Sequence, residues 1–150
     1  MFHPSLFKGM NVVVTGAGRG IGLEVARLFL DCGAHVLLHG GRGPHDELPD
    51  FLGDAVAEAR AHIVYGDFLT DKGIEDAVRQ ADSLFEHIDV LVNNAGTMVG
   101  RFPAAELTDD QYETIVQLNQ TSVVEITRAL LPQLRRSAQA AIVNTVSISA

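Results

Sequence analysis

The chain has 150 residues, 47% of them hydrophobic, enough for one buried core and too few for two ordinary domains. Its 19 acidic residues against 11 basic ones leave a formal charge of -8, a field that repels a phosphate backbone and argues against a nucleic-acid partner. Cys32 is the one cysteine, so no intramolecular disulfide can form, and no apolar run is long enough for a signal peptide or a membrane span; no membrane role is expected, and cytoplasm is the expected compartment.

Taken in chain order, Asn11 to Thr15 carries Val12, Val13 and Val14, a β-branched run without polar alternation, as a parallel strand buried on both faces requires. Ile21, Val25, Leu28, Phe29 and Cys32 then recur at helical spacing, and Gly33 stands where a helix ends. His35 to His39 reads as a second strand. Four residues of strand span about 13 Å, too far for His35 and His39 to chelate one ion, so no metal site is expected. Residues 40–50, with three glycines and two prolines, read as a loop, followed by a short helix around Phe51 to Arg60.

Ala61 to Tyr65 gives a third strand. Behind Thr70 and Asp71 as cap, Ile74, Ala77, Val78, Ala81, Leu84, Phe85 and Ile88 trace a helical stripe. Val90 to Val92 is a fourth buried strand ending in Asn93-Asn94-Ala95-Gly96, and Thr108 with Gln111 forms a capping box that opens one long helix toward Arg136. Ala141 to Thr145 supplies a fifth strand. Strands alternating with helices at this spacing specify a single α/β domain of Rossmann type, a doubly wound parallel sheet with helices on both faces.

Between the first strand and the first helix stands Thr15-Gly16-Ala17-Gly18-Arg19-Gly20-Ile21-Gly22. A glycine-rich turn in that place lets the backbone approach a pyrophosphate and aims the helix amides at it. No Gly-Lys-Ser/Thr follows, so it is not a Walker loop. The spacing Thr-Gly-x-x-x-Gly-x-Gly, together with Asn93 to Gly96, Asp67 after the third strand, Asn119 in the long helix and Ser147 three residues after Asn144, resembles the short-chain dehydrogenase/reductase family over essentially the whole chain. The resemblance implies that Thr15, Gly16, Gly20, Ile21 and Gly22 hold a pyrophosphate, that Asp67 and the adjoining Phe68 meet adenine, and that Asn94, Ala95 and Gly96 support both sheet and cofactor. It also implies an oligomer, a homodimer or homotetramer, through the long helix from Thr108, although an apolar stripe there could equally be covered by the same chain.

Dinucleotide folds that take NAD usually place a carboxylate at the end of the second strand for the ribose 2′-hydroxyl. Here that place reads His39-Gly40-Gly41-Arg42, with no acid before Asp46. Arg19 and Arg42 are instead placed to pair with a 2′-phosphate, which favours NADP over NAD; ordinary surface arginines are the competing reading.

Tyr112, Ile115, Val116, Asn119, Val123 and Ile126 share one helical face, which puts the Asn119 amide on a buried stripe where it needs partners. Backbone groups can satisfy it, or, as the resemblance implies, it holds a water in a proton relay. Ser147, beyond the carboxyl end of the fifth strand, is the implied partner of a substrate carbonyl, with Ser149 as its competitor. The family's acid is a Tyr in a Tyr-x-x-x-Lys motif. Neither Tyr65 nor Tyr112 has a Lys four residues on. The expectation is therefore the front part of a longer oxidoreductase for a small carbonyl or alcohol, itself inactive. The alternatives are a remainder supplied separately, or a catalytically silent nucleotide-binding sensor or scaffold.

Overall fold

A computed structural model describes residues 2–43 and 49–147. Five parallel strands form one sheet: β1 (Asn11–Val14), β2 (His35–His39), β3 (Ala61–Val64), β4 (Val90–Asn93) and β5 (Ala141–Asn144), in the order β3-β2-β1-β4-β5. The chain lays down β1, β2 and β3 toward one edge and then returns to the other side of β1 to add β4 and β5. The reversal puts a topological switch point between β1 and β4, the place where open α/β sheets bind ligands at their carboxyl ends.

Helices α1 (Gly20–Asp31) and α2 (Asp50–Ala57) cover one face, α3 (Asp71–Leu84) and α5 (Ser122–Arg136) the other, and α4 (Asp109–Val116) precedes α5. The pleat sorts the valine run between them. Val12 and Val14 pack with Ala26, Leu30, Leu52 and Ala55, whereas Val13 packs with Ile74, Ala77, Ile126 and Leu130. That explains the lack of polar alternation in the first strand.

Three helix-level expectations need correction. In α1 the buried positions are Gly22, Ala26 and Leu30, while Ile21 is 67% exposed and Leu28 49%. Gly22 is wedged under the turn, and that contact sets the rotation of the helix, so Gly22, Ala26 and Leu30 rather than Ile21 and Leu28 face the sheet. Gly33 does close α1: its N–H bonds the Leu30 carbonyl and the Ala34 N–H the Phe29 carbonyl, a Schellman motif with Gly33 at φ +89°. The long helix from Thr108 is not one piece. It has the expected capping box, but residues Gln117–Thr121 form a π turn between α4 and α5. No residue of α4 or of the π turn is buried, so Tyr112, 58% exposed, and Asn119, also exposed, do not lie on a buried stripe. On α3, capped as expected by the Thr70 side chain accepting from the Gly73 N–H, Leu84 is exposed and the buried face is Gly73, Ile74, Ala77 and Ala81.

Candidate nucleotide site

At the switch point, two loops are stitched together by one hydroxyl. Thr15 Oγ1 accepts from the Asn94 N–H at 2.9 Å and the Ala95 N–H at 3.0 Å, while the Thr15 N–H donates to the Val92 carbonyl at 2.9 Å. The Asn94 side chain answers: its Nδ2 donates to the carbonyls of Thr15 and Gly16, both at 3.2 Å. A threonine at the end of β1 and an asparagine after β4 thus hold the floor of the crevice in one geometry.

The glycines divide the remaining work. Gly16 sits at φ +63°, and a Cβ there would lie 2.7 Å from the Ala95 Cα. A Cβ on Gly22 would meet the Gly16 carbonyl at 2.4 Å and the Asn94 Nδ2 at 2.5 Å. Gly20, at φ +56°, meets no other described residue within 4 Å of that position outside its own helix and chain neighbours. Gly16 and Gly22 therefore allow turn, helix and the Asn94–Ala95 segment to close on each other, and Gly20 keeps the open side clear. Among the described residues no side chain caps α1, and its first turn carries no acidic residue. A helix start with such amides and a positive dipole end is of the kind that suits an anion.

On the β2 side, His39 is 4% exposed and turned inward. Its Nδ1 lies 3.4 Å from the Gly16 N and accepts that N–H; its Nε2 lies 2.8 Å from the Gly66 carbonyl and donates to it. The ring stacks on Phe68, centroids 3.7 Å apart and planes within 3°. Burial holds its pKa below the ordinary histidine value, against the opposing effects of the Gly66 carbonyl and the Asp67 carboxylate. Phe68 is thus committed to His39 and the core. Asp67 accepts from the Leu69 N–H at 3.0 Å and pairs with Arg42 at 3.3 Å, so these two candidate residues meet each other. Arg19 is exposed and makes no ion pair among the described residues. Asp46, the first acid after β2, lies outside the described residues.

Asn119 faces the Gly96–Thr97 segment from the π turn. Its Oδ1 accepts from the Thr97 N–H at 3.1 Å, and its Nδ2 donates to the Thr97 carbonyl at 2.7 Å and the Ile115 carbonyl at 2.8 Å. All three of these contacts are to backbone groups. A Cβ on Gly96 would meet Asn119 Oδ1 at 2.6 Å, so this glycine makes room for the clamp. Asn144 pairs in register with Asn93, whose Nδ2 donates to Asn144 Oδ1 at 2.9 Å and Thr127 Oγ1 at 3.1 Å. Ser147 follows on the same carboxyl edge of the sheet and is exposed; Ser149 lies outside the described residues. Thr15, Gly16, Gly22, Asn94 and Ala95 therefore pack as one hydrogen-bonded cluster, with Asn119 and Gly96 after it in the same segment.

Sequence reasoning did not identify His39 and Asn93 as site residues. Both are polar residues ending otherwise apolar strands, and that position was the available signal.

Comparison with known proteins agrees with this geometry. A family model described as short chain dehydrogenase matches residues 10–150. The chain is 32% identical over 150 residues to a 3beta-hydroxysteroid dehydrogenase 2 of Eggerthella lenta, covering 98% of this chain and 56% of that protein. It is 36% identical over 124 residues to the NADP-dependent 3-hydroxy acid dehydrogenase YdfG of Escherichia coli, covering 82% and 48%. It spans about half the length of these curated relatives. Among solved structures, an NADH-dependent reductase A1-R' complexed with NAD superposes with a TM-score of 0.86 at 30% identity over 97% of this chain and 62% of that one. The Pseudomonas aeruginosa RhlG/NADP active-site complex does so with 0.81 at 30% identity over 95% and 57%. The chain belongs to the short-chain dehydrogenase family.

Proposed function

We propose that this chain is the nucleotide-binding part of an oxidoreductase that moves a hydride between a nicotinamide cofactor and a small carbonyl or alcohol, with NADP preferred to NAD. The observation that carries the reading is the crevice at the β1–β4 switch point, where Thr15 and Asn94 lock the floor and Gly20 keeps the open side of the turn clear. Named relatives that use NADP and a neighbour bound to NAD are consistent with the class of cofactor.

The residues present fit a dinucleotide. Gly16, Gly20, Ile21 and Gly22 would hold the pyrophosphate at the start of α1; Asp67 would meet the adenine side, and Asn94 to Gly96 the opposite end. When bound, the cofactor supplies or accepts the hydride. The chain's own part is to orient it. No carboxylate is present at residues 39–43 to accept a ribose 2′-hydroxyl, while among the described residues Arg19 makes no ion pair and Arg42 pairs with Asp67 on the surface. Such an exposed pair is worth little, so Arg42 can exchange Asp67 for a 2′-phosphate at small cost. Asn119 would position Thr97 beside the reactive end, and Ser147 would donate to a substrate oxygen.

Titration calorimetry with NADP and NAD tests this reading. One charge-assisted contact contributes about 1.5–3 kcal/mol, so NADP should bind about 10–150-fold more tightly, and Arg19→Glu with Arg42→Glu should abolish the difference. Equal or tighter binding of NAD by the wild type would refute the preference; binding of neither would refute the site.

A further inference from the structure

The His39 ring joins three segments that the nucleotide reading needs held together: the glycine turn through the Gly16 N–H, the end of β2 that carries it, and the segment after β3 through the Gly66 carbonyl and the stacked Phe68. Its two nitrogens have opposite tasks. Nδ1 must accept and Nε2 must donate, which specifies the neutral ring with its proton on Nε2. A proton added at Nδ1 would face the Gly16 N–H, donor against donor, and break the link to the turn. The Ala17 N–H still donates to the His39 carbonyl at 2.7 Å, so what the added proton removes is the hold of the ring on Gly16 and not the backbone contact between turn and β2.

Resting on the nucleotide reading above, we propose that His39 is a positioning residue, whose neutral ring sets the Gly16 end of the pyrophosphate turn against the Gly66–Phe68 segment and makes nucleotide affinity depend on pH. The charged and titratable groups on the elements around the ring are Asp67 and Tyr65 after β3, Arg42 after β2 and Arg19 in the turn. Of these, Asp67 acts on the ring, in the direction that favours protonation, and burial outweighs it. The link is therefore intact at neutral pH and lost only below the ordinary histidine range.

The test is calorimetry with NAD, which carries no 2′-phosphate of its own to titrate, at about pH 8 and at the lowest pH at which circular dichroism still shows the native fold. Loss of one hydrogen bond and its replacement by a donor–donor contact should weaken wild-type binding about 3–10-fold between the two. In His39→Asn the amide oxygen keeps an acceptor near Nδ1 that cannot be protonated, and the ratio should fall to about 1. An unchanged ratio in that variant overturns the proposal. Should the variant not fold, ring 15N shifts of the wild type decide: a proton on Nε2 at neutral pH supports it, and a proton on Nδ1 overturns it. Wild-type protein that binds no nucleotide at about pH 8 overturns the functional reading and this inference together; binding with a flat pH profile overturns this inference alone.

Discussion

Replacing Thr15 by valine keeps the shape of the side chain and removes one oxygen. That oxygen accepts two backbone N–H groups, from Asn94 and Ala95, at 2.9 and 3.0 Å. A buried donor left without a partner costs about 1–3 kcal/mol, so two would cost about 2–6 kcal/mol if both were sealed from water. Asn94 and Ala95 are only half-buried, so solvent can recover part of this, and a loss of about 2–3 kcal/mol is expected. Against a total stability of about 5–15 kcal/mol that is a large fraction. Urea unfolding followed by circular dichroism reads it as a fall in midpoint at unchanged slope. Thr15→Ser, which keeps the hydroxyl and drops a methyl, should lose about 1 kcal/mol or less. Equal losses in the two variants would show that packing, not the hydroxyl, holds the crevice, and a Thr15→Val protein as stable as wild type would show that the stitch contributes nothing.

Gly22→Ala places a methyl 2.4 Å from the Gly16 carbonyl and should destabilise by about 1–3 kcal/mol, whereas Gly53→Ala in α2, with nothing within 4 Å among the described residues, should stabilise by about 0.5–1 kcal/mol; thermal melts compare the two. Asn119→Ala should leave the fold intact and speed hydrogen exchange of the Thr97 amide, which Asn119 Oδ1 now accepts. Because the folded pKa of His39 lies below its unfolded value near 6.5, the unfolded chain takes up the proton first. The His39 contribution to stability is then full above about pH 6.5 and falls as pH drops from there through the folded pKa, a decline that denaturant titrations should find reduced in His39→Asn. With NADPH and simple ketones, the 150-residue chain should show no cofactor oxidation above the blank. Its tyrosines are elsewhere, Tyr65 packed on Gly40 and Tyr112 exposed on α4.

The strands were legible because a parallel sheet buried on both faces needs continuous apolar runs, and Val12 to Val14, His35 to His39 and Val90 to Val92 supply them. Caps were legible too, since Thr70, Thr108 and Gly33 carry their own local chemistry. Helix faces were harder to read. In α1 the wedge at Gly22 rotates the helix, a tertiary contact with no trace in the spacing of Ile21, Val25 and Leu28. The π turn at Gln117–Thr121 has no composition of its own, so Asn119 could be singled out while its partners could not. Arg42 and Asp67 were each assigned to a ligand from their position along the chain; their proximity across two loops emerges only in three dimensions. His39 was set aside as a metal ligand by strand geometry, yet its use depends on how Gly16 and Gly66 converge on the ring.

The most direct test of the nucleotide site is the amide spectrum of the 15N-labelled chain titrated with NADP. The crevice account predicts that the largest shifts fall on Gly16 to Gly22 and on Asn94 to Gly96, with Asp67 following. Shifts confined to other parts of the sheet, or a spectrum that NADP leaves unchanged, would contradict it.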